Sequence, residues 1–234
     1  MDFMIDGDFF AQLPEVCIGV VVAAGVTGGD PDNRALAFLR EMEESTRQRL
    51  AGRRVKDEPA LAPYREAFQR VGYNPNKFMP SVEALATRVA KGSSLPDINP
   101  LVNLINAVSL KYLLPMGAHD LEGVAGVALR SAVQGDVFRP FGSEETEFVP
   151  PGELVYAVGR GVRTRRWIWR QSELGKVTAE TNQVFVPIDG FTTVNGGEVR
   201  EARDELASLF AGWLGARVEC FLLDRSTPAA FSPA

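Results

Sequence analysis

The sequence contains very few of the residues that build metal centres and disulfide frameworks. Cys17 and Cys220 are the only cysteines in 234 residues, and their separation excludes a disulfide scaffold or a cysteine-rich zinc module. His119 is the only histidine, which excludes two-histidine metal sites and HExxH-type zinc hydrolases. We therefore expect neither a bound metal nor a cofactor.

Long apolar runs and an excess of positive charge are also missing. The longest apolar run, Val16 to Val26, has about 11 residues, whereas a membrane helix needs roughly 20. The N-terminus, MDFMIDGDFF, is acidic where a secretory signal would be basic. The net charge of −5 excludes a nucleic-acid-binding protein that is basic over its whole surface, but it does not exclude a local basic patch. We expect a cytoplasmic protein without a membrane partner.

Hydrophobic spacing predicts helices in the first half of the chain and strands mainly in the second. Helices are predicted at about 34–51, 62–71, 81–91, 99–114 and 199–214. Strands are predicted at about 15–26, 124–132, 153–159, 162–170, 184–188 and 216–223. Helices that cluster before strands favour the α+β class, here a mixed sheet or β-sandwich-like core with flanking helices.

The length and composition predict one domain over residues 1–225. Residues 1–60 are either part of the same core or an added layer. The tail STPAAFSPA, residues 226–234, is predicted to be flexible because it is short, terminal and poor in large apolar residues.

Four stretches of sequence carry a family resemblance. They read YREAFQRVGYNPNKFMPSVEALATRV, INPLVNLINAVSLKYLLPMGAHDLEGVAGVALRSAVQGDVF, PGELVYAVGRGVRTRRWIWRQ and ETNQVFVPIDGF. In this order, over residues 60–191, they resemble the B3/4 domain, the editing module of the bacterial phenylalanyl-tRNA synthetase beta subunit. That module also occurs as free-standing proteins. The resemblance implies a B3/4-like fold and an aminoacyl-tRNA deacylase acting in trans, rather than a complete tRNA ligase.

The resemblance also marks positions for the site. The asparagine and the final aspartate of the family pattern fall on Asn106 and Asp120. The expected partners are the aminoacylated 3′ end of tRNA and its amino acid moiety. Asn103 and Ser109 extend Asn106 into a polar row along one helix face, because residues three apart are neighbours. We predict that these four residues bind substrate, through an amino group or a ribose hydroxyl. Alternatively, the amides tie the helix to a loop and Asp120 is a turn residue.

Two positions of the family pattern are not kept. Its histidine falls on Gly117 and its glutamate on Pro187, whereas His119 and Asp189 each lie two residues later. In extended chain a shift of two keeps the same face, so His119 and Asp189 are the predicted catalytic replacements. The alternatives are a histidine that bridges a loop and an aspartate that serves the turn in PIDGF. A further alternative is that the pocket has been rebuilt for another ligand.

The segment 160–176 has six basic residues and one acidic residue. In a strand, Arg165, Trp167 and Trp169 would share one face. Arginine interleaved with tryptophan suits phosphate contacts and base stacking. The alternative is a pair of core tryptophans beside a solvated arginine face. The predicted tRNA-binding residues are Arg163, Arg165, Arg166, Trp167, Trp169 and Arg170.

The sequence leaves three functions open. The first is an editing hydrolase that deacylates mischarged tRNA in trans by water attack on the ester, a reaction that needs no nucleophilic triad. The second is a non-catalytic module, derived from the editing domain, that binds RNA, tRNA or an amino acid. The third is an enzyme that acts on a small amino-acid derivative.

Overall fold

A computed structural model describes residues 2–27, 29–30 and 32–232. Six α-helices lie in these residues: α1 (Gly7–Gln12), α2 (Arg34–Leu50), α3 (Ala62–Arg70), α4 (Ser81–Ala90), α5 (Pro100–Tyr112) and α6 (Gly196–Leu214). The strands are β1 (Asp2–Ile5), β2 (Val16–Ala24), β3 (His119–Asp120), β4 (Gly126–Ser131), β5 (Val137–Phe138), β6 (Glu147–Phe148), β7 (Leu154–Val158), β8 (Gly161–Arg165), β9 (Arg170–Gln171), β10 (Gln183–Phe191), β11 (Arg217–Leu223) and β12 (Ala229–Phe231).

The strands form two sheets. The larger has eight strands in the order β12-β1-β4-β7-β8-β5-β6, with β9 paired to β8. It is mixed, because β1 runs parallel to β4 and β5 parallel to β8. The smaller is antiparallel in the order β11-β2-β10-β3. The predicted α+β class with a mixed sheet and flanking helices is therefore confirmed.

Aromatic side chains join the two sheets in one core. Phe3 of β1 packs on Phe185 of β10, with ring centroids 4.7 Å apart, and on Tyr156 of β7. All three side chains are almost fully buried. The interior between the sheets is thus largely apolar, which raises the electrostatic cost of any charge placed there.

Helix α6 covers the smaller sheet at two glycines. A Cβ atom at Gly19 of β2 would lie 2.9 Å from Val199 Cγ1, and one at Gly190 of β10 would overlap the same valine. Glycine at both positions therefore lets the helix approach the sheet closely. This approach also fixes the end of β10, where Asp189 immediately precedes Gly190.

The long strand predicted at 162–170 is wrong in its second half. Strand β8 ends at Arg165, and Arg166 and Trp167 follow with φ of 47° and 61°. Two successive left-handed residues reverse the chain and turn Trp167 inward. Such turns normally use glycine or asparagine, and TRRWIW contains neither, so the sequence carries no signal for this turn.

The C-terminal segment also differs from expectation. Residues 229–231, predicted as part of a flexible tail, form β12 and pair with β1. Short strands of small residues depend on a partner strand, which local sequence does not reveal. Residues 233 and 234 of that predicted tail lie outside the described residues. No described helix combines the length and apolarity needed to cross a membrane.

Candidate active site

The candidate site is built on the antiparallel pairing of the 115–120 segment with β10. His119 pairs with Phe185, and the Gly117 N–H donates to the Pro187 carbonyl at 3.4 Å. Gly117 and Pro187, which correspond to the lost histidine and glutamate, therefore lie opposite each other. Since alternate residues share a face, His119 and Asp189 point to the same side as this pair.

His119 and Asp189 line one small cavity of about 60 Å³. A single buried water needs roughly 10–15 Å³, so the cavity has room for water beside part of a ligand. Ser81, the first residue of α4, lines the same cavity. Further lining residues come from both sheets and from the β8–β9 turn: Gly117, Tyr156, Thr164, Trp167, Gln171 and Pro187.

Asp189 is a buried carboxyl with two short hydrogen bonds. Its Oδ1 accepts from the Tyr156 hydroxyl at 2.6 Å and from the Trp167 indole N–H at 2.6 Å. Burial raises the pKa of Asp189 to about 7, although both hydrogen bonds favour the ionised form. A carboxyl that titrates near neutral pH can accept or donate a proton under physiological conditions.

The backbone at Asp189 is held by a second pair of polar side chains. The Tyr64 hydroxyl of α3 donates to the Asp189 carbonyl oxygen at 2.9 Å and accepts from Asn195 Nδ2 at 2.8 Å. Tyr64 is fully buried. These bonds fix the strand that carries the carboxyl, so the carboxyl is pre-positioned rather than free to swing.

His119 lies in an aromatic environment with no polar partner. Its ring is stacked beside Phe185 at 6.0 Å and lies 5.9 Å from Tyr156, centroid to centroid. Neither imidazole nitrogen has a hydrogen-bond partner among the described residues. Burial, with a smaller contribution from the Arg163 charge, lowers the pKa of His119 to about 3. The ring is therefore neutral near pH 7.

Nε2 of His119 points toward the place of the lost histidine. A Cβ atom built on Gly117 would lie 3.7 Å from this nitrogen. Because glycine stands there, the imidazole of residue 119 borders space that a side chain at residue 117 would fill. The glycine thus opens the cavity, and His119 supplies a polar atom at its edge.

A wider cleft of about 970 Å³ adjoins the cavity. The two share Met116, Gly117 and Gln171. The cleft lies between α4, α5 and the loops near residues 141 and 176, and Asn106 lines it. Its volume is in the range of small-molecule sites.

The other predicted substrate-binding residues have structural contacts. Asn103 Nδ2 donates to Asp97 at 2.8 Å, so this amide ties α5 to the preceding loop. Ser109 Oγ donates to the Leu114 carbonyl at 2.7 Å, beyond the end of α5. Asp120 accepts from the Glu122 N–H at 2.8 Å, as a turn residue does. These three differ from Asn106, because none of them lines the cavity or the cleft.

The predicted arginine and tryptophan surface is not formed. Arg165 is buried and pairs with Glu153 at 2.7 Å and Glu147 at 2.9 Å. Trp167 is fully buried beside Asp189. The left-handed turn directs Trp167 inward, whereas Arg165 still lies in β8 and is held by its two carboxylate partners.

The remaining members of that set have separate environments. The Arg166 guanidinium lies 3.9 Å from the Phe78 ring centroid and pairs with Glu153 at 3.1 Å. Arg163 is half-buried, and Asp120 is the charge that favours its protonated form. Trp169 and Arg170 line the cavity mouth, where Arg170 is exposed. A continuous basic face is therefore absent from residues 163–170.

Sequence reasoning did not find how Asp189 is held, because it placed Trp167 on a tRNA-binding face and did not single out Tyr156. Tyr156 lies in a typical buried strand, LVYAV, and nothing in that pattern shows that its hydroxyl reaches the other sheet. Ser81 was recognised only as a helix start. Among the described residues, no group of three or more histidine, cysteine or acidic side chains is arranged to hold a metal ion.

Comparison with known proteins identifies the family. The sequence profile of the B3/4 domain matches residues 63–211, which is more than half of the chain. This chain belongs to the B3/4 domain family. The resemblance seen in the sequence is thereby confirmed.

The other two comparisons add less. An N-terminal fragment of the phenylalanyl-tRNA synthetase beta subunit from Pyrococcus horikoshii is similar in structure, with a TM-score of 0.47 and 11% identity. The match covers 92% of this chain and 49% of that one, so this B3/4 protein spans about half the length of the fragment. No curated protein matches the sequence significantly.

Proposed function

We propose that this protein is an editing hydrolase that acts in trans and deacylates mischarged tRNA. The observation that carries the proposal is that His119 and Asp189 line one cavity in a chain of the B3/4 family. The relation of the family to the editing region of the phenylalanyl-tRNA synthetase beta subunit supports the substrate class. The substrate would be an amino acid esterified to the terminal ribose of tRNA.

Asp189 is the proton acceptor in this proposal. With a pKa of about 7, its carboxyl is partly ionised at neutral pH and is a stronger base than an ordinary aspartate. The oxygen of a water attacks the ester carbonyl carbon while its proton passes to Asp189. The bond between that carbon and the ribose oxygen then breaks, and the proton is returned to the ribose oxygen. The products are a free amino acid and uncharged tRNA.

His119 hydrogen-bonds the bound ester as a neutral imidazole. A pKa of about 3 makes it a weak base, so it is better suited to hydrogen bonding than to removing a proton. Its two nitrogens offer one donor and one acceptor, and both are free of protein partners among the described residues. Ser81 begins α4 at the cavity wall, where the positive end of the helix dipole favours negative charge on the ester oxygen.

A second candidate is a non-catalytic module that binds RNA, tRNA or an amino acid in the same cavity. The observation that favours it is that Gly117 and Pro187, which lack functional side chains, occupy the positions of the family histidine and glutamate. In this case His119 and Asp189 would recognise a ligand without turning it over.

Deacylation of a panel of correctly and incorrectly charged tRNAs tests the two candidates. We expect catalytic turnover of a mischarged species, with kcat/KM rising as the pH passes through about 7, where Asp189 ionises. Asp189→Asn should lower kcat by about 100-fold or more, and His119→Gln by less. Asp204→Asn, an exposed carboxylate on α6, is the matched control and should change nothing. No turnover across the panel, with tRNA or amino acid binding retained, would refute the hydrolase and favour the binding module.

A further inference from the structure

A basic groove lies on the side of α4 that faces away from the cleft. Its volume is about 360 Å³. Five basic side chains line it against one carboxylate, that of Glu83. The basic residues are Arg53, Arg54, Lys56, Arg65 and Lys91. In a protein of net charge −5, this is a local concentration of positive charge.

Three of these cations are free. Arg65 pairs with Glu83 at 2.7 Å, and Arg54 pairs with Asp57 at 2.6 Å. Arg53, Lys56 and Lys91 are exposed, and no ion pair with another described residue involves them. Cations without carboxylate partners are available to a partner that carries negative charge.

Helix α4 connects this groove to the candidate active site. Ser81, at its start, lines the cavity. Leu85 and Arg88 face the cleft, whereas Thr87 faces the groove, as does Lys91, the residue after the end of α4. Ten helical residues span about 15 Å, which is roughly four nucleotide steps of about 3.4 Å in a stacked strand.

We propose that this groove binds the phosphate backbone of the RNA whose aminoacylated end enters the cavity. The inference rests on the proposed function, because that function supplies a polyanionic substrate with its ester at one terminus. The ester carbon lies at the start of α4, and phosphates a few nucleotides away meet Arg53, Lys56 and Lys91. These contacts carry affinity but no sequence information.

The test is equilibrium binding of uncharged tRNA at several salt concentrations. We compare the wild type with the triple variant Arg53→Glu, Lys56→Glu and Lys91→Glu. The expected result is at least a tenfold loss of affinity near 0.1 M salt, with the slope of log K against log salt reduced by about 2 to 3. The neutral set R53Q, K56Q and K91Q should give an intermediate loss, and it keeps the test valid if charge reversal disturbs folding.

A matched triple variant controls for net charge. Arg200→Glu, Arg217→Glu and Arg225→Glu change three exposed arginines on or near α6 and β11, outside the groove lining. This variant should retain tRNA affinity. If it loses as much affinity as the groove variant, or if the folded groove variant binds tRNA like the wild type, the inference is overturned. If the groove variant binds tRNA like the wild type, the alternative ligand for the groove is an acidic segment of another protein.

A second readout separates this inference from the proposed function. Hydrolysis of an ethyl ester of the amino acid that is released in the tRNA panel needs the cavity but not the groove. The groove variant should hydrolyse this ester at the wild-type rate. Loss of tRNA binding in the groove variant supports the inference even where no deacylation occurs. If the groove variant deacylates and binds tRNA like the wild type, the result supports the proposed function but not this inference.

Discussion

Folding should change which of two residues is protonated: His119 in the unfolded chain and Asp189 in the folded protein. In the unfolded chain between about pH 4 and 6.5, an ordinary histidine is protonated and an ordinary aspartate is ionised. In the folded protein the pKa of Asp189 is about 7 and that of His119 about 3, so the carboxyl holds the proton and the imidazole is neutral. The two states bind the same number of protons at these two residues, although on different groups.

The two groups have opposite effects on stability. Because the folded pKa of Asp189 is raised, its contribution is most favourable below about pH 3.8 and is lost as the pH rises through about 7. Because the folded pKa of His119 is depressed, its contribution is present above about pH 6.5 and is lost as the pH falls toward about 3. Between about pH 4 and 6.5, Asp189 and His119 each change the free energy of unfolding by about 1.4 kcal/mol per pH unit, with opposite signs. Their sum is nearly flat in the wild type.

Single substitutions should therefore reveal slopes that cancel in the wild type. Asp189→Asn keeps an acceptor for the two donors but cannot titrate. Relative to the wild type, its free energy of unfolding should rise by about 3 kcal/mol between about pH 4.5 and 6.5. His119→Gln should show a change of similar size and opposite sign over the same interval.

The assay is urea unfolding at closely spaced pH values, followed by tryptophan fluorescence, to which the buried Trp167 contributes. Differences from the wild type remove the contribution of all other carboxylates, which are common to the three proteins. Flat difference curves for both variants, or slopes of the same sign, would refute the assigned protonation states. The assignment of Asp189 as a base near neutral pH would then fail as well.

Further predictions concern groups whose contacts are structural. Arg165→Ala should destabilise the protein by about 1–3 kcal/mol, because the buried Glu153 then keeps only Arg166 as an ion-pair partner; a thermal melt close to the wild type would contradict this. Gly190→Ala should cost about 1–3 kcal/mol through overlap with Val199, and adding Val199→Ala should restore part of that loss in urea unfolding. Asn103→Ala should cost about 1–2 kcal/mol while Asn106→Ala changes stability little; equal losses would contradict the separate roles of the two amides.

Most secondary structure could be predicted because its signals are local. Asn99 and Pro100 mark the start of α5, and Asn99 accepts from the Val102 N–H at 2.8 Å as a helix cap does. The turn at Arg166 and Trp167 could not be predicted, because the left-handed backbone is held by distant contacts. One of these is the indole hydrogen bond to Asp189, 22 residues further along the chain.

The candidate site was partly accessible to sequence reasoning. Alternation along extended chain was enough to place His119 and Asp189 on the face of the lost family residues. The hydrogen bonds that Asp189 accepts come from a strand of the other sheet and from the turn after β8, so local sequence does not reveal them. The basic groove was missed because its free cations come from two segments, around residue 53 and at residue 91, whose separate charges look like ordinary solvated faces.

The direction of the two shifts determines how far apart the two candidate residues lie. In an antiparallel ladder, moving each residue two positions toward its own C-terminus separates the pair instead of keeping it together. His119 pairs with Phe185, so Asp189 is four residues along the partner strand, about 13 Å in backbone distance. Between them lie Gly117 and Pro187, which leave the floor of the cavity open. Two groups so placed cannot exchange a proton directly, but they can act on a water and an ester held between them.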